Sequence, residues 1–202
     1  MQFCRLSKKA RVLTAKLDMK RDTFLYLTCL HLDHRLERFR LKEIESIRQN
    51  LDQVFKANHC QIWTGDFNAL TKEDYDTKQW YKKINKKFKL FANLYFSAFF
   101  IKLMKTPKLF FFRQEITDVR QRNLWEPPQT DLTSKVKDDF DFQDAWALAG
   151  RPGTSKTCRF DTHIDYIFCN ATWLSKYSVD KVEHVEDTAS DHNMVIATFK
   201  TL

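Results

Sequence analysis

Only three glycines punctuate the 202 residues, at positions 65, 150 and 153. A backbone cradle for nucleotide phosphates needs clustered glycines, because the chain must turn tightly and approach the phosphates closely. No such cradle can be built here. The five cysteines are scattered, with no Cys-x-x-Cys pair, which argues against both a disulfide scaffold and a structural zinc site. With 43% apolar and 30% charged residues, the chain has the material for a core. Its length is that of one domain or a large part of one.

The net charge of +8 invites a nucleic-acid reading, but its distribution removes that support. Residues 82–113 hold eight lysines, Arg113, eight of the eighteen phenylalanines and no Asp or Glu. The whole positive excess therefore lies in one compositionally foreign segment. Its apolar heart, Leu90 to Ile101, is shorter than the roughly 20 residues that cross a bilayer. The segment reads as an in-frame retained intron, as a surface insertion or, least favoured, as a membrane contact through residues 88–112. Met1 to Arg11 has charges but no apolar run after them. The expectation is a protein without a leader, cytoplasmic or nuclear, or one whose true N-terminus lies further upstream.

Periodicity outlines the elements. Arg11–Met19 and Thr23–Leu32 are apolar runs around a polar turn, predicting two antiparallel strands. Leu36, Phe39, Ile44, Ile47, Leu51, Val54 and Phe55 recur at helical spacing. Gln61–Thr64 predicts a buried strand delivering the turn Gly65–Ala69, Glu115–Leu124 a helix, and Trp125–Thr133 a loop. Strands are predicted over Phe140–Trp146, Phe160–Cys169, Ser178–Val185 and Asn193–Lys200. The pattern suggests packed sheets with helices outside.

Four clusters carry chemistry. Gly65-Asp66-Phe67-Asn68 places a carboxylate and a carboxamide two residues apart at a strand end, where one can take a proton or hold a metal and the other can orient water. Taken alone it is also an ordinary turn. Ser190-Asp191-His192 precedes the last strand and alone reads as a loop pair or cap. In His163-Ile164-Asp165-Tyr166, Asp165 occupies a position the pattern calls buried; an unpaired buried carboxylate is costly, so His192 is its expected partner. His163 is expected to face solvent. His31-Leu32-Asp33-His34 offers His31 to a phosphate or a leaving group. A zinc site there is weak, since neighbouring strand residues point to opposite faces. The absence of Gly-x-Ser-x-Gly removes the best support for a serine triad.

In order, His-Leu-Asp-His, a helix, Gly-Asp-Phe-Asn, Ile-Asp-Tyr-Ile and Ser-Asp-His resemble the endonuclease/exonuclease/phosphatase family from about Val12 to Phe199. Leu124–Pro128 and Cys158–Asp161 add weaker likeness. The resemblance implies an α/β (α+β) fold, a four-layer α/β/β/α sandwich, over residues 1–202 and interrupted at 82–113. It implies hydrolysis of phosphate esters with magnesium or manganese. Asp66 would activate or hold the attacking water, Asn68 orient it, and His192, oriented by Asp165, stabilise the phosphate. Asp191, with Asp66, would help bind the metal, and His31 would assist the leaving oxygen. The substrate class is open among nucleic acid, lipid and small molecule.

Two departures from the family pattern matter. The family carries an asparagine and a metal-binding glutamate on strands ahead of the His-Leu-Asp-His segment, and this chain begins just before it. The sandwich is therefore expected to be incomplete at the N-terminus, and turnover by this chain to be impaired. The alternative is a catalytically inactive fragment or interaction protein of the same fold. Ahead of His31 stand Cys29, expected buried, and Leu30, expected to place an apolar side chain beside the site.

Overall fold

The computed structural model describes residues 2–4, 11–19, 23–54, 59–74, 129–153, 156–159, 162–186 and 188–202. The foreign segment, the helix expected over Glu115–Leu124 and the Leu124–Pro128 run lie outside them.

Strands β1 (Gln2–Cys4), β2 (Arg11–Asp18) and β3 (Phe24–His31) form an antiparallel meander. Helix α1 (Glu37–Val54) then carries the chain to β4 (Cys60–Asp66), which runs parallel to β3. A parallel neighbour requires such a crossover. A 3₁₀ turn (Lys72–Asp74) and helix α2 (Asp131–Asp138) precede β5 (Phe142–Asp144), helix α3 (Ala145–Leu148) and β6 (Asp165–Asn170). Helix α4 (Ala171–Leu174) leads into the hairpin β7 (Tyr177–Val185) and β8 (Met194–Thr201). The first sheet has the order β1-β2-β3-β4-β6-β5, and β7-β8 form a second sheet.

Strand alternation divides the core between the two faces of the first sheet. On the outer face Tyr26, Leu30, Trp63, Tyr166 and Phe168 meet Ile44, Ile47 and Leu51 of α1 and Leu132 and Val136 of α2. On the inner face Leu25, Ile62 and Cys169 meet Val182 of β7, with Val195, Ala197 and Phe199 of β8 against them. Trp146 of α3 and Trp173 of α4 join this inter-sheet cluster. The mixed α/β architecture, with helices packed outside a sheet and a second sheet on its other face, is the one expected.

Several local expectations are corrected. Residues 131–138 form α2 rather than the end of a loop; Leu132, Thr133 and Val136 are its buried stripe. The strand expected over Phe140–Trp146 shrinks to three residues, because the Asp144 carboxylate accepts the N–H of Trp146 and starts α3. Cys29 is exposed rather than buried; its register partner Leu13 on β2 is also 45% exposed. Leu30 is 2% exposed in the outer-face core, so it turns away from the face that His31 uses. His163 is fully buried rather than solvent-facing, tilted at 30° against the Tyr166 ring and edge-on to Trp146.

Candidate functional site

Register builds the site. His31 at the end of β3 pairs with Asp66 at the end of β4, and Asp66 pairs with Asp165 at the start of β6. Residues directly opposite on paired strands project to the same face. These three polar side chains therefore stand in one row at one end of the first sheet. Gly65 permits the row. Its φ is +125°, and a Cβ there would lie 2.1 Å from the carbonyl oxygen of Leu30. Only glycine lets β3 and β4 approach so closely at this point.

After Asp66 the chain is pinned on both sides. Leu32 N–H donates to the Asp66 carbonyl and Phe67 N–H to that of Ile164, both at 2.9 Å. Asn68 follows in the left-handed region, φ 50°, which asparagine tolerates better than most residues. From there its backbone N–H donates to Asp66 Oδ1 at 2.7 Å and its Nδ2 to Asp66 Oδ2 at 2.8 Å. Its Nδ2 also reaches the carbonyl of Leu32 at 3.2 Å. Asn68 thus fixes the orientation of the Asp66 carboxylate.

His192 arrives from the second sheet's side. Its Nδ1 lies 2.9 and 3.1 Å from the two Asp165 oxygens, and its Nε2 lies 4.0 Å from Asp66 Oδ2. On the other flank His31 Nε2 is 3.5 Å from the same oxygen. The Asp66 carboxylate therefore sits between two imidazoles, with Asp165 behind one of them. Burial, then the charge of Asp165, push the Asp66 carboxyl up to about 6. The hydrogen bond to Asp165 raises the His192 imidazole to about 9, with the charges of Asp165, Asp66 and Asp191 adding to it. At neutral pH His192 is then an imidazolium facing a carboxylate whose pKa is raised toward neutrality.

Of the residues expected from sequence, Asp66, Asn68, Asp165, His192 and His31 come together. Asp191 does not join them. Its carboxylate is 54% exposed and 3.9 Å from Arg159 Nε. The Asp33 carboxylate turns to the backbone N–H groups of Arg35 and Leu36 and to the Arg35 guanidinium, so it serves the entry to α1. Ligand atoms of Asp66, Asp165 and His192 lie within 4.8 Å of one another. That donor set can hold a metal ion: two crowded carboxylates that a cation would relieve, and one imidazole that ligates only once it has lost its proton. Hard cations such as magnesium or manganese take the oxygens, while the imidazole better suits zinc.

No known family model matches the sequence, and no curated protein sequence matches it. Solved structures do match in shape. The catalytic domain of human Nocturnin with bound sulfate superposes at TM-score 0.55 and 15% identity over 95% of this chain and 53% of that one. An endonuclease/exonuclease/phosphatase from Bacteroides vulgatus superposes at TM-score 0.53 and 18% identity, over 95% and 55%. The chain has the endonuclease/exonuclease/phosphatase fold. A functionally unknown conserved protein from Enterococcus faecalis V583 is similar too, at TM-score 0.52 and 17% identity over 95% and 56%. The chain spans about half the length of these structures. Among the described residues no helix is long and apolar enough to cross a membrane.

Proposed function

We propose that the chain is a hydrolase of phosphate esters acting through Asp66, Asn68, Asp165, His192 and His31. The observation that carries this reading is the Asp66 carboxylate, oriented by two Asn68 donors and flanked by the imidazoles of His192 and His31. Water placed at Asp66 attacks phosphorus and gives its proton to that carboxylate, whose orientation Asn68 fixes. The imidazolium of His192, held by Asp165, faces a non-bridging oxygen and offsets its growing charge. The bond from phosphorus to the ester oxygen breaks, and His31 supplies the proton to the leaving alkoxide.

Magnesium or manganese is the proposed cofactor, with Asp66 and Asp165 as its carboxylate ligands. When bound, the ion supplies charge neutralisation on the phosphate and a lower pKa for water. Magnesium is commonly held by one or two carboxylates, with waters and substrate phosphate completing its octahedral oxygen shell. Turnover is proposed to be slow because Asp191 turns outward and adds no oxygen to the site, and the same observation favours the second reading, an inactive protein of the same fold. The phosphate-ester substrate, whether nucleic acid, lipid or small molecule, is met by these same residues. Residues 82–113 are proposed to be an insertion that the chemistry does not need.

The test uses the full chain with millimolar magnesium or manganese against bis-nitrophenyl phosphate. We expect slow metal-dependent release of nitrophenolate, abolished in Asp66→Ala and His192→Ala. Release that persists in both variants, or no release above buffer with either metal, would overturn the enzymatic reading.

A further inference from the structure

We infer that Thr157 is a positioning residue that sets the Asp165–His192 pair, an assignment that rests on the hydrolase reading above. Asp165 belongs to the first sheet, while His192 precedes a strand of the second. Their close contact therefore needs something that spans the two sheets at this end of the molecule. Residues 156–159 do so. Cys158 forms antiparallel bridges to Thr162 on one side and to His192 on the other. The short run is thus the middle member of three extended segments.

Thr157 is fully buried, and its polar groups are all engaged. Its hydroxyl accepts the N–H groups of Ile164 at 3.0 Å and Asp165 at 3.1 Å, and its own proton faces the Thr162 carbonyl at 3.3 Å. Its N–H donates to that same carbonyl at 2.9 Å. Its carbonyl accepts the N–H of Asn193 at 2.8 Å. One residue thereby grips the backbone of Asp165 through its side chain and the residue after His192 through its main chain. Two flanking bonds reinforce the tie: Arg159 N–H to the Asp191 carbonyl at 2.8 Å, and Asn193 Nδ2 to the Lys156 carbonyl at 3.0 Å.

Removing only the hydroxyl leaves two half-buried N–H groups without their acceptor. The segment must move to find another, and Asp165 moves with it. Misplacement by about 1 Å can cost on the order of 100-fold in rate. A hydroxyl acting only on stability would have no such local effect.

The experiment compares Thr157→Val and Thr157→Ser in the full chain, with Thr14→Val as a control. Thr14 has a buried hydroxyl bonded to that of Thr28 at 3.0 Å, away from the site. Two readouts are taken: kcat and KM on bis-nitrophenyl phosphate, and the imidazole ¹⁵N shifts of His192 in the metal-free protein. In Thr157→Val we expect kcat to fall by roughly 10- to 100-fold with KM nearly unchanged, and the His192 shifts to move. Thr157→Ser, which keeps the hydroxyl, restores both, and Thr14→Val leaves both as in the parent. Should the valine variant not fold, Thr157→Cys, with its weaker acceptor, replaces it. Turnover and His192 shifts in Thr157→Val that match Thr14→Val overturn the positioning role and leave the hydrolase reading standing. Absence of turnover in the parent overturns the hydrolase reading instead; the His192 shifts then decide the role of Thr157 alone.

Discussion

His192 and Asp66 have opposite charges, yet their linkage to stability has the same sign. The imidazole is raised from 6.5 to about 9, so its contribution is complete below pH 6.5 and is lost as pH rises through 9. The Asp66 carboxyl is raised from 3.8 to about 6, so the folded state binds the proton more tightly and loses stability as pH climbs from 4 to 6. The metal-free chain should therefore be more stable to urea at pH 6 than at pH 9. Asp165→Asn should bring the His192 pKa down toward its ordinary value of 6.5 and flatten the alkaline limb; NMR titration of the imidazole checks the first and urea midpoints the second. An unchanged imidazole pKa would show that Asp165 is not its controlling partner. At this scale much was legible. A carboxylate at an apolar strand position is conspicuous, so Asp165 drew attention and asked for a cationic partner. Thr157 gave no signal, because threonine is ordinary in a loop and its value lies in which backbone groups it meets. His163 misled for the same reason: a polar residue beside a threonine reads as exposed until Trp146 and Tyr166 are placed around it.

Helix α1 does more than cross from β3 to β4. Glu37 in its first turn ion-pairs with the fully buried Arg40, and its other oxygen accepts the N–H of Leu132 at the start of α2. Arg40 in turn donates to the Asp33 carbonyl at 3.0 Å, steadying the loop that follows His31. Removing one partner of such a pair leaves a buried charge without compensation. Glu37→Ala should cost about 3–5 kcal/mol, whereas Glu45→Ala, which breaks an exposed pair with Lys135 at 3.0 Å, should cost below about 1 kcal/mol. Urea denaturation of the two variants makes the comparison, and similar losses would refute the buried role of Glu37. Helix α1 was plain from Ile44, Ile47 and Leu51. Helix α2 was hidden, since its eight residues hold only Leu132, Thr133 and Val136 as a buried stripe and two prolines stand just before it. Its partner, the Glu37 carboxylate, lies 95 residues away, beyond the reach of any local pattern.

In the whole molecule the site joins two sheets and one crowded pair of carboxylates. A divalent ion needs those carboxylates ionised, so its stabilisation should grow as pH rises through 6. The melting temperature of the full chain should rise more with millimolar magnesium or manganese at pH 8 than at pH 5.5. An equal rise at both would place the ion elsewhere. The order of motifs along the chain made the architecture legible, whereas the exposure of Cys29 was not, because it depends on how far the second sheet reaches across the first. The cross-strand row His31–Asp66–Asp165 carries a last implication. Three neighbouring strands each contribute one member, and a slip of one residue at either pairing would swing a member to the opposite face. The site is thus a gauge of alignment: a mispaired chain can be compact, helical and sheet-rich and still lack the row. Under the proposed hydrolase reading, activity per mole of folded protein counts the molecules whose strands found their true neighbours.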